Sequence, residues 1–175
     1  MLIKYLINHK HWSPFEMANM CVEVETSRMI SPQILRHKSL VCQEFSQRYS
    51  AVSECMRYEA RLQDQHNRQN SIEIEDAQLQ KWWVKTQNDV WEYAQNRYKE
   101  ALDHGIAKEL ARGILPGISK TKLEINGTIR SWIHYFDVRC GKETQKEHRE
   151  IANAIKNIFI DHFPHISNVF NWTKE

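Results

Sequence analysis

The longest segment with a single hydrophobic period runs from residue 76 to residue 104. Apolar side chains recur there at helical spacing and share one face, namely Leu79, Trp83, Val90, Ala94 and Ala101. Gly105 follows at the position where glycine commonly ends a helix. The sequence therefore predicts a long helix. A chain of 175 residues is large enough to build a hydrophobic core around it without disulfides or metals.

Alternation of apolar and polar side chains indicates where strands lie. Residues 20–26 alternate in this way, which predicts a half-buried strand. Residues 53–62 and 123–126 are predicted as two further strands. Residues 40–50 lack a helical period and are interpreted as an ordered loop, and the very polar residues 64–71 are interpreted as a mobile surface loop.

Shorter helices complete the predicted fold. Ser13 and Ser31 each precede a proline, and serine caps a helix while proline suits its first position. Helices are predicted at residues 2–7, from residue 13 onward, and at residues 31–37, 106–115, 129–140 and 144–163. The fold class is predicted to be mixed α/β (α+β-like), with a small antiparallel sheet flanked by long helices in a single domain over residues 1–175.

The composition excludes several classes of protein. Hydrophobic residues make up 41% of the chain and charged residues 26%, which argues against disorder. The net charge of +2 is too small for a general nucleic-acid binder, and no apolar run is long enough to span a membrane. The four cysteines have no CxxC pair and no metal-ligand spacing, so they predict free thiols, a cytoplasmic protein and no metal site.

Potential cations cluster around one short turn. Arg36, His37, Lys38 and Arg48 lie there together with serine hydroxyls and glutamine amides. Arginine offers a planar fork of donors that suits phosphate oxygens. Glu44 lies among these cations and either accepts from a ligand hydroxyl or base or orients the arginines. The cluster indicates a site for a phosphorylated, hydroxyl-bearing ligand, and the alternative is a solvated charged turn.

The same stretch resembles the signature of the flavin-dependent thymidylate synthases. That signature contains Arg-His-Arg, then Asn-Glu, a serine and Arg-Tyr-Ser, and the chain reads RHKSLVCQEFSQRYS over residues 36–50. Lys38 replaces the second arginine and Gln43 replaces the asparagine, while the other fixed positions match.

Further motifs of this family follow in the same order along the chain. Residues 11–16 resemble its His-x-Ser/Thr-Pro-Phe-Glu segment, and residues 111–116 resemble its Ala-Arg-x-x-Leu-Pro segment. Residues 130–139 resemble its Ala-Arg-Ser-Leu helix, which ends in Leu-Arg. Gln145 and Glu147 fit the Gln-x-Glu that opens the final helix, so the resemblance covers nearly the whole chain.

The resemblance implies an enzyme that converts deoxyuridine monophosphate (dUMP) to thymidine monophosphate (dTMP). Members of this family use methylenetetrahydrofolate as the carbon donor, bound FAD as the hydride carrier and NADPH as the reductant. They are homotetramers whose active sites are shared between subunits. The chain is therefore expected to bind dUMP, folate and NADPH, and neither nucleic acid nor a membrane.

The resemblance also implies roles for individual residues. Arg139 is expected to be the catalytic residue, which polarises the uracil and stabilises negative charge developing on the pyrimidine. The residues expected to bind dUMP are Gln33, Arg36, Ser46, Gln47, Arg48, Arg112 and Arg139. The residues expected to contact FAD are His11, Ser13, Arg36, His37, Lys38, Glu44, Thr128, Ile129, Arg130 and His134. Cys42 is interpreted as a packing residue rather than a nucleophile.

Beyond the signature, the chain departs from the family at three further positions. Asparagine is usual where the chain has Thr128 and His134, and histidine is common where it has Glu143. The chain is also expected to be shortened at its amino terminus relative to the family.

Two alternatives to an active enzyme stay open. The first is a non-catalytic nucleotide-binding relative or a partner subunit of a longer homologue. The second is a basic-turn RNA-binding module, which the low net charge disfavours.

Overall fold

A computed structural model describes residues 2–174. Its helices are α1 (Leu2–Asn8), α2 (Ser31–Leu35), α3 (Ala77–Asp103), α4 (Lys108–Ala111), α5 (Ile129–Arg139), α6 (Lys146–His162) and α7 (Pro164–Ser167). Its strands are β1 (Asn19–Ser27), β2 (Val41–Glu44), β3 (Arg61–Gln63), β4 (Ser71–Glu73) and β5 (Lys120–Thr128). Single 3₁₀ turns span Ser13–Glu16, Arg112–Ile114 and Asn168–Phe170.

The strands form two small sheets. One has the order β1-β5-β2, and the other pairs β3 with β4 in antiparallel register, with Leu62 opposite Ile72. Backbone hydrogen bonds at the two ends of β1 and β5, from Arg28 to Ser119 and from Ile129 to Ala18, show that these strands are antiparallel. The predicted fold class, mixed α/β with a small antiparallel sheet and long helices, is confirmed.

The chain divides into two compact units. Unit one takes in Gln33–Cys42 and the described parts of Met1–Val24 and Glu124–Glu175, and unit two takes in Glu25–Pro32 and Gln43–Leu123. The core of unit one is aromatic, since Trp132, Tyr135, Phe136 and Phe159 are at most 2% exposed. Unit two buries Ile30, Leu123, Trp91 and Tyr98. Each unit thus has an apolar interior of its own.

The ends of the long helix are formed by the residues that the sequence singles out. Asp76 caps α3, because its carboxylate accepts hydrogen bonds from the backbone nitrogens of Gln78 and Leu79. Gly105 lies two residues after the last residue of the helix and has a φ of +81°, a conformation that favours glycine. The predicted helix and its stop are confirmed, and the cap by Asp76 is an addition from the structure.

The predicted buried face of α3 is wrong in part. Val90 is 50% exposed, and the buried side chains are Gln87, Trp91, Ala94, Gln95 and Tyr98. Two glutamine side chains of the buried face form hydrogen bonds and so turn this face inward. Gln87 exchanges hydrogen bonds with the backbone of Tyr58, and Gln95 donates to the carbonyl oxygen of Val52. The helix is therefore oriented by the hydrogen-bonding needs of a neighbouring segment as well as by apolar burial.

The same glutamines explain why residues 53–62 are not the predicted strand. This segment forms one isolated bridge, between Cys55 and Ser119, and β3 begins only at Arg61. The backbone of residues 54–56 pairs with that of residues 118–120, but the backbone of residues 58–60 is paired with side chains of α3, including a two-way exchange between Ala60 and Gln80. At residues 58–60, side-chain amides thus take the place of a partner strand.

Several other predictions also need correction. Residues 40–50 contain strand β2 and are not simply a loop, because β5 supplies a partner edge. The predicted helix over residues 106–115 is split into α4 and a 3₁₀ turn. Ser13 makes no capping hydrogen bond, and Trp12 occupies the cap position.

Residues 64–70 form the loop of the β3–β4 hairpin, where the Asp64 carboxylate accepts from the backbone nitrogens of His66 and Asn67.

The remaining helices agree closely with the sequence. Thr128 caps α5, α5 ends before Cys140, and Pro164 follows α6 and begins α7. The four cysteines are unpaired thiols. Over residues 2–174, no helix is both long enough and apolar enough to cross a membrane.

Candidate active site

Helix α5 and its cap carry several of the candidate residues of unit one. It begins at Thr128, whose side-chain oxygen accepts from the Ser131 backbone nitrogen at 3.1 Å. Arg130 and His134 are exposed, while Ile129 is 2% exposed and packs in the core. Arg130 forms an ion pair with Glu16, in the 3₁₀ turn that contains Ser13. Arg139 is the last residue of the helix.

An open cleft of about 1090 Å³ lies beside this helix within unit one. Its walls combine aromatic rings and hydrogen-bond donors with cations and the carboxylates of Glu16 and Asp137. The lining includes Trp12, Glu16, Thr128, Arg130, Ser131, His134, Phe136, Lys156, Phe170 and Trp172. Ligand sites of drug size occupy roughly 300–1,000 Å³, so this cleft is large enough for a dinucleotide. Its chemistry fits a planar ring system joined to phosphate groups, and FAD has these features.

Three of the expected FAD residues line this cleft, and the others lie elsewhere in the chain. Thr128, Arg130 and His134 are part of the lining. His11, Ser13, Arg36 and Lys38 are exposed residues of unit one, and Gln33 donates a hydrogen bond to Gln145 at 2.7 Å. The ring of His11 lies 6.0 Å from the ring of Tyr5 on α1.

Two histidines and a tyrosine lie together near the end of α5. The ring centroid of His37 is 5.3 Å from that of His134 and 5.2 Å from that of Tyr135, which it meets edge to face. Burial lowers the pKa of His37, and the nearby His134 and Arg139 lower it further. The imidazole of His37 is therefore neutral at pH 7, and its Nε2 is buried without a hydrogen-bond partner among the described residues.

A third histidine completes this cluster. His148 on α6 is fully buried, and its Nε2 lies 3.1 Å from the hydroxyl of Tyr135. Burial lowers the pKa of His148 to about 4, with smaller contributions from Arg139 and His37. Burial also raises the pKa of Tyr135. Both groups are thus uncharged across the physiological pH range.

Arg139 is partly buried at the end of α5. Its Nε is buried and has no hydrogen-bond partner among the described residues. Within residues 2–174 no carboxylate forms an ion pair with it. Its charge acts on His37, Tyr135 and His148, which are neutral.

Unit two holds the other group of candidate residues. Arg48 forms an ion pair of 3.3 Å with the carboxylate of Glu109, and Arg112 donates to the backbone carbonyl of the same glutamate at 3.3 Å. Ser46 is half-buried, while Gln47 is 5% exposed and its Nε2 has no hydrogen-bond partner within the described part of the chain. Glu109 thus links two arginines that are 64 positions apart in the sequence.

The carboxylate of Glu44 is hydrogen-bonded and ion-paired to other residues of unit two. Its Oε1 accepts from the hydroxyls of Ser31 at 2.7 Å and Thr121 at 3.0 Å, and its Oε2 pairs with Arg28 at 2.5 Å. The carboxylate therefore orients an arginine, which is one of the two roles that the sequence allows. That arginine is Arg28, which the sequence analysis does not identify.

Sequence reasoning missed several residues of these groups. Glu109, Tyr135 and His148 are absent from the predicted site, and so are the cleft residues Trp12 and Trp172. One signal was available: Tyr135 lies four residues before Arg139 on a predicted helix, so the two share a face. Burial raises the pKa of Cys42, which supports its interpretation as a packing residue.

Comparison with known proteins places this arrangement in a family. Residues 1–165 match the family model described as thymidylate synthase complementing protein. The chain is 52% identical to the flavin-dependent thymidylate synthase of Synechocystis sp., a match that covers 98% of this chain and 80% of that protein. The chain belongs to the flavin-dependent thymidylate synthase family. It is thus an enzyme of that family, as the resemblance implied.

Further comparisons are consistent with membership of the flavin-dependent thymidylate synthase family. A probable flavin-dependent thymidylate synthase of Paramecium bursaria Chlorella virus 1 is 48% identical over 98% of this chain and 80% of its own length. Among solved structures, a UMP/dUMP methylase, PolB, from Streptomyces cacaoi bound with 5-Br UMP superposes with a TM-score of 0.85. That match covers 97% of this chain and 81% of PolB at 23% identity, and it shows that the two share a fold.

Proposed function

We propose that this chain converts dUMP to dTMP. Methylenetetrahydrofolate supplies the carbon, NADPH supplies the reducing equivalents, and a bound FAD carries the hydride. Family membership over residues 1–165 supports the reaction type, and the names of the relatives support a flavin and a uridine nucleotide. The free thiols support a cytoplasmic location, which remains a prediction from the sequence.

The observation that carries this proposal is the state of Arg139. Its guanidinium is charged, its Nε is buried, and no carboxylate among the described residues neutralises it. A positive charge that no carboxylate pairs stabilises negative charge on a bound ligand more strongly than one already paired. We assign Arg139 to the pyrimidine, where it stabilises the charge that develops as C5 becomes nucleophilic.

The resemblance assigns binding of the nucleotide to seven residues. The proposed dUMP residues are Gln33, Arg36, Ser46, Gln47, Arg48, Arg112 and Arg139. Arg48 and Arg112 carry the phosphate in this proposal, because guanidinium groups bind phosphate oxygens in a bidentate manner. The unsatisfied Nε2 of Gln47 supports a polar contact to the nucleotide, since a buried amide donor needs an acceptor.

The flavin is assigned to unit one. Thr128, Arg130 and His134 would hold it from the wall of the cleft, and His11, Ser13, Arg36, His37 and Lys38 would contact it from exposed or neighbouring positions. When bound, FAD supplies hydride transfer, and the protein supplies orientation and exclusion of water. Ile129 and Glu44 were also expected to contact FAD, but the core packing of Ile129 and the internal partners of Glu44 give them structural roles.

We also propose a homotetramer. Its support is an exposed face of α3 on which Trp82, Val90 and Tyr93 are 58%, 50% and 69% exposed. These three residues are spaced at helical intervals and lie on one side of the helix, apart from its buried face. Large exposed apolar side chains gathered on one face are typical of interaction sites.

Absorption spectroscopy of purified protein tests the proposal. We expect a flavin band after FAD is added and the excess removed, and bleaching of that band by NADPH. Incubation with dUMP and methylenetetrahydrofolate should then yield dTMP, which chromatography detects. A protein that binds dUMP but shows neither a flavin band nor dTMP would be a nucleotide-binding relative without this activity.

A further inference from the structure

The buried contact between Tyr135 and His148 has no role in the function proposed above. Both residues are 0% exposed, and the Tyr135 hydroxyl lies 3.1 Å from Nε2 of His148. Tyr135 is on α5 and His148 is on α6, so the contact joins the two helices at one point inside unit one.

Packing alone does not account for this contact. Burying two polar groups costs free energy that their hydrogen bond only partly offsets, and an apolar pair of the same shape is often as stable. The Nδ1 atom of His148 adds to this cost, because it is buried and has no hydrogen-bond partner in the described chain. A directional bond does fix one arrangement of side chains, which an apolar contact does not.

The side chains that this bond fixes are those around Arg139. Tyr135 precedes Arg139 by four residues on α5, so their side chains are neighbours on one face of the helix. The Tyr135 ring also packs edge to face with the ring of His37, at 5.2 Å between centroids. Tyr135 therefore contacts α6 through its hydroxyl and His37 through its ring, directly beside the arginine.

The imidazole is well suited to this position. A carboxylate in place of His148 would pair with Arg139 and neutralise the charge that the reaction uses. Burial keeps the imidazole neutral, which is consistent with its lowered pKa. A neutral ring provides a hydrogen bond and packing without competing for the guanidinium.

We propose that Tyr135 and His148 are positioning residues for Arg139. Their hydrogen bond holds the end of α5 and the ring of His37 in one arrangement, so that the guanidinium meets the pyrimidine in the reactive geometry. This inference rests on the proposed function, because it assigns Arg139 to the pyrimidine. Neither positioning residue touches the substrate itself.

The test compares conservative variants in steady-state turnover of dUMP. Tyr135→Phe removes the hydroxyl and keeps the ring, and we expect kcat to fall about tenfold or more while KM for dUMP changes by less than about threefold. His148→Leu should produce a similar loss, and the double variant should be no worse than either single variant, because both remove one shared bond. His148→Gln keeps a polar partner for the hydroxyl and should recover part of kcat.

Tyr98→Phe is the matched control. Tyr98 is 1% exposed, lies on α3 in unit two, and its hydroxyl has no hydrogen-bond partner among the described residues. This variant should keep the kcat of the unaltered protein. If Tyr135→Phe behaves like Tyr98→Phe in an active protein, or if the losses in the double variant simply multiply, the inference is wrong. If the unaltered protein forms no dTMP, the proposed function fails, and this inference with it.

A readout other than activity completes the test. Nitrogen-15 NMR of the imidazole should show His148 as one neutral tautomer at pH 7, and Tyr135→Phe should change the balance of tautomers. An unchanged His148 spectrum in Tyr135→Phe would contradict the inference, because the bond would then not order the ring.

Discussion

His148 makes the stability of the protein depend on pH. In the folded protein its pKa is lowered to about 4, mainly by burial, from the ordinary value of 6.5. The unfolded chain therefore binds a proton below pH 6.5 that the folded chain accepts only near pH 4. The free energy of unfolding should fall as the pH drops through this range, by an amount on the order of 2–3 kcal/mol from this group.

Urea unfolding between pH 7 and pH 4 measures this effect. His148→Gln removes the titrating ring and should make the stability less dependent on pH, whatever its effect at pH 7. Part of the dependence should persist, because the pKa of His37 is lowered in the same direction. Identical slopes for the two proteins would show that His148 is not buried as a neutral ring.

Glu44 is expected to be a structural residue. Glu44→Ala leaves the buried hydroxyls of Ser31 and Thr121 without their acceptor and Arg28 without its ion-pair partner. We expect a loss of roughly 2–4 kcal/mol in the free energy of unfolding, measured by urea titration without flavin. Glu44→Gln keeps one acceptor oxygen and should lose less. A loss below about 0.5 kcal/mol would contradict the structural role.

Residue roles could be predicted only where the sequence carries a motif. The signature gives Arg48 and the Ala-Arg-x-x-Leu-Pro segment gives Arg112, but neither reveals that Glu109 links them. His148 directly follows the Gln-x-Glu motif but is not part of it, and its proposed role depends on a tyrosine 13 positions away. Such contacts depend on packing between helices, which no single segment encodes.

At the level of secondary structure, the cap of α5 controls how its candidate residues are presented. The Thr128 side-chain oxygen accepts from the Ser131 backbone nitrogen, so Thr128→Val should lower the free energy of unfolding by about 1 kcal/mol. Thr128→Asn restores a good cap and the residue usual in the family, and should retain most of the stability. Urea unfolding without added flavin separates this effect from ligand binding. Equal stability of the Val and Asn variants would exclude a capping role.

Helices were predicted better than strands, for a physical reason. Asp76, Gly105 and Thr128 act locally on their own helix ends, so their effects can be read from neighbouring residues. Strand β2 depends on a distant partner, and residues 53–60 are held in part by glutamine side chains of α3. Those pairings join segments far apart in the sequence, so an alternating pattern alone could not predict them.

At the level of the whole molecule, the exposed face of α3 should mediate assembly. Light scattering is expected to give a mass about four times that of the 20.9 kDa chain. Tyr93→Glu places a charge on the apolar face and should shift the protein toward smaller species. Lys81→Glu changes the charge of an exposed residue on another side of the helix and is the control. A monomeric unaltered protein, or equal masses for the two variants, would contradict this role.

The central claim is that the chain is a working thymidylate synthase whose Arg139 acts on the pyrimidine. Tritium release from 5-tritiated dUMP tests it most directly, because formation of dTMP must remove the hydrogen at C5. Protein saturated with FAD and supplied with methylenetetrahydrofolate and NADPH should release tritium, and Arg139→Ala should release it about 10²–10³-fold more slowly while still folding. No release from the unaltered protein, or equal release from Arg139→Ala, would contradict the claim.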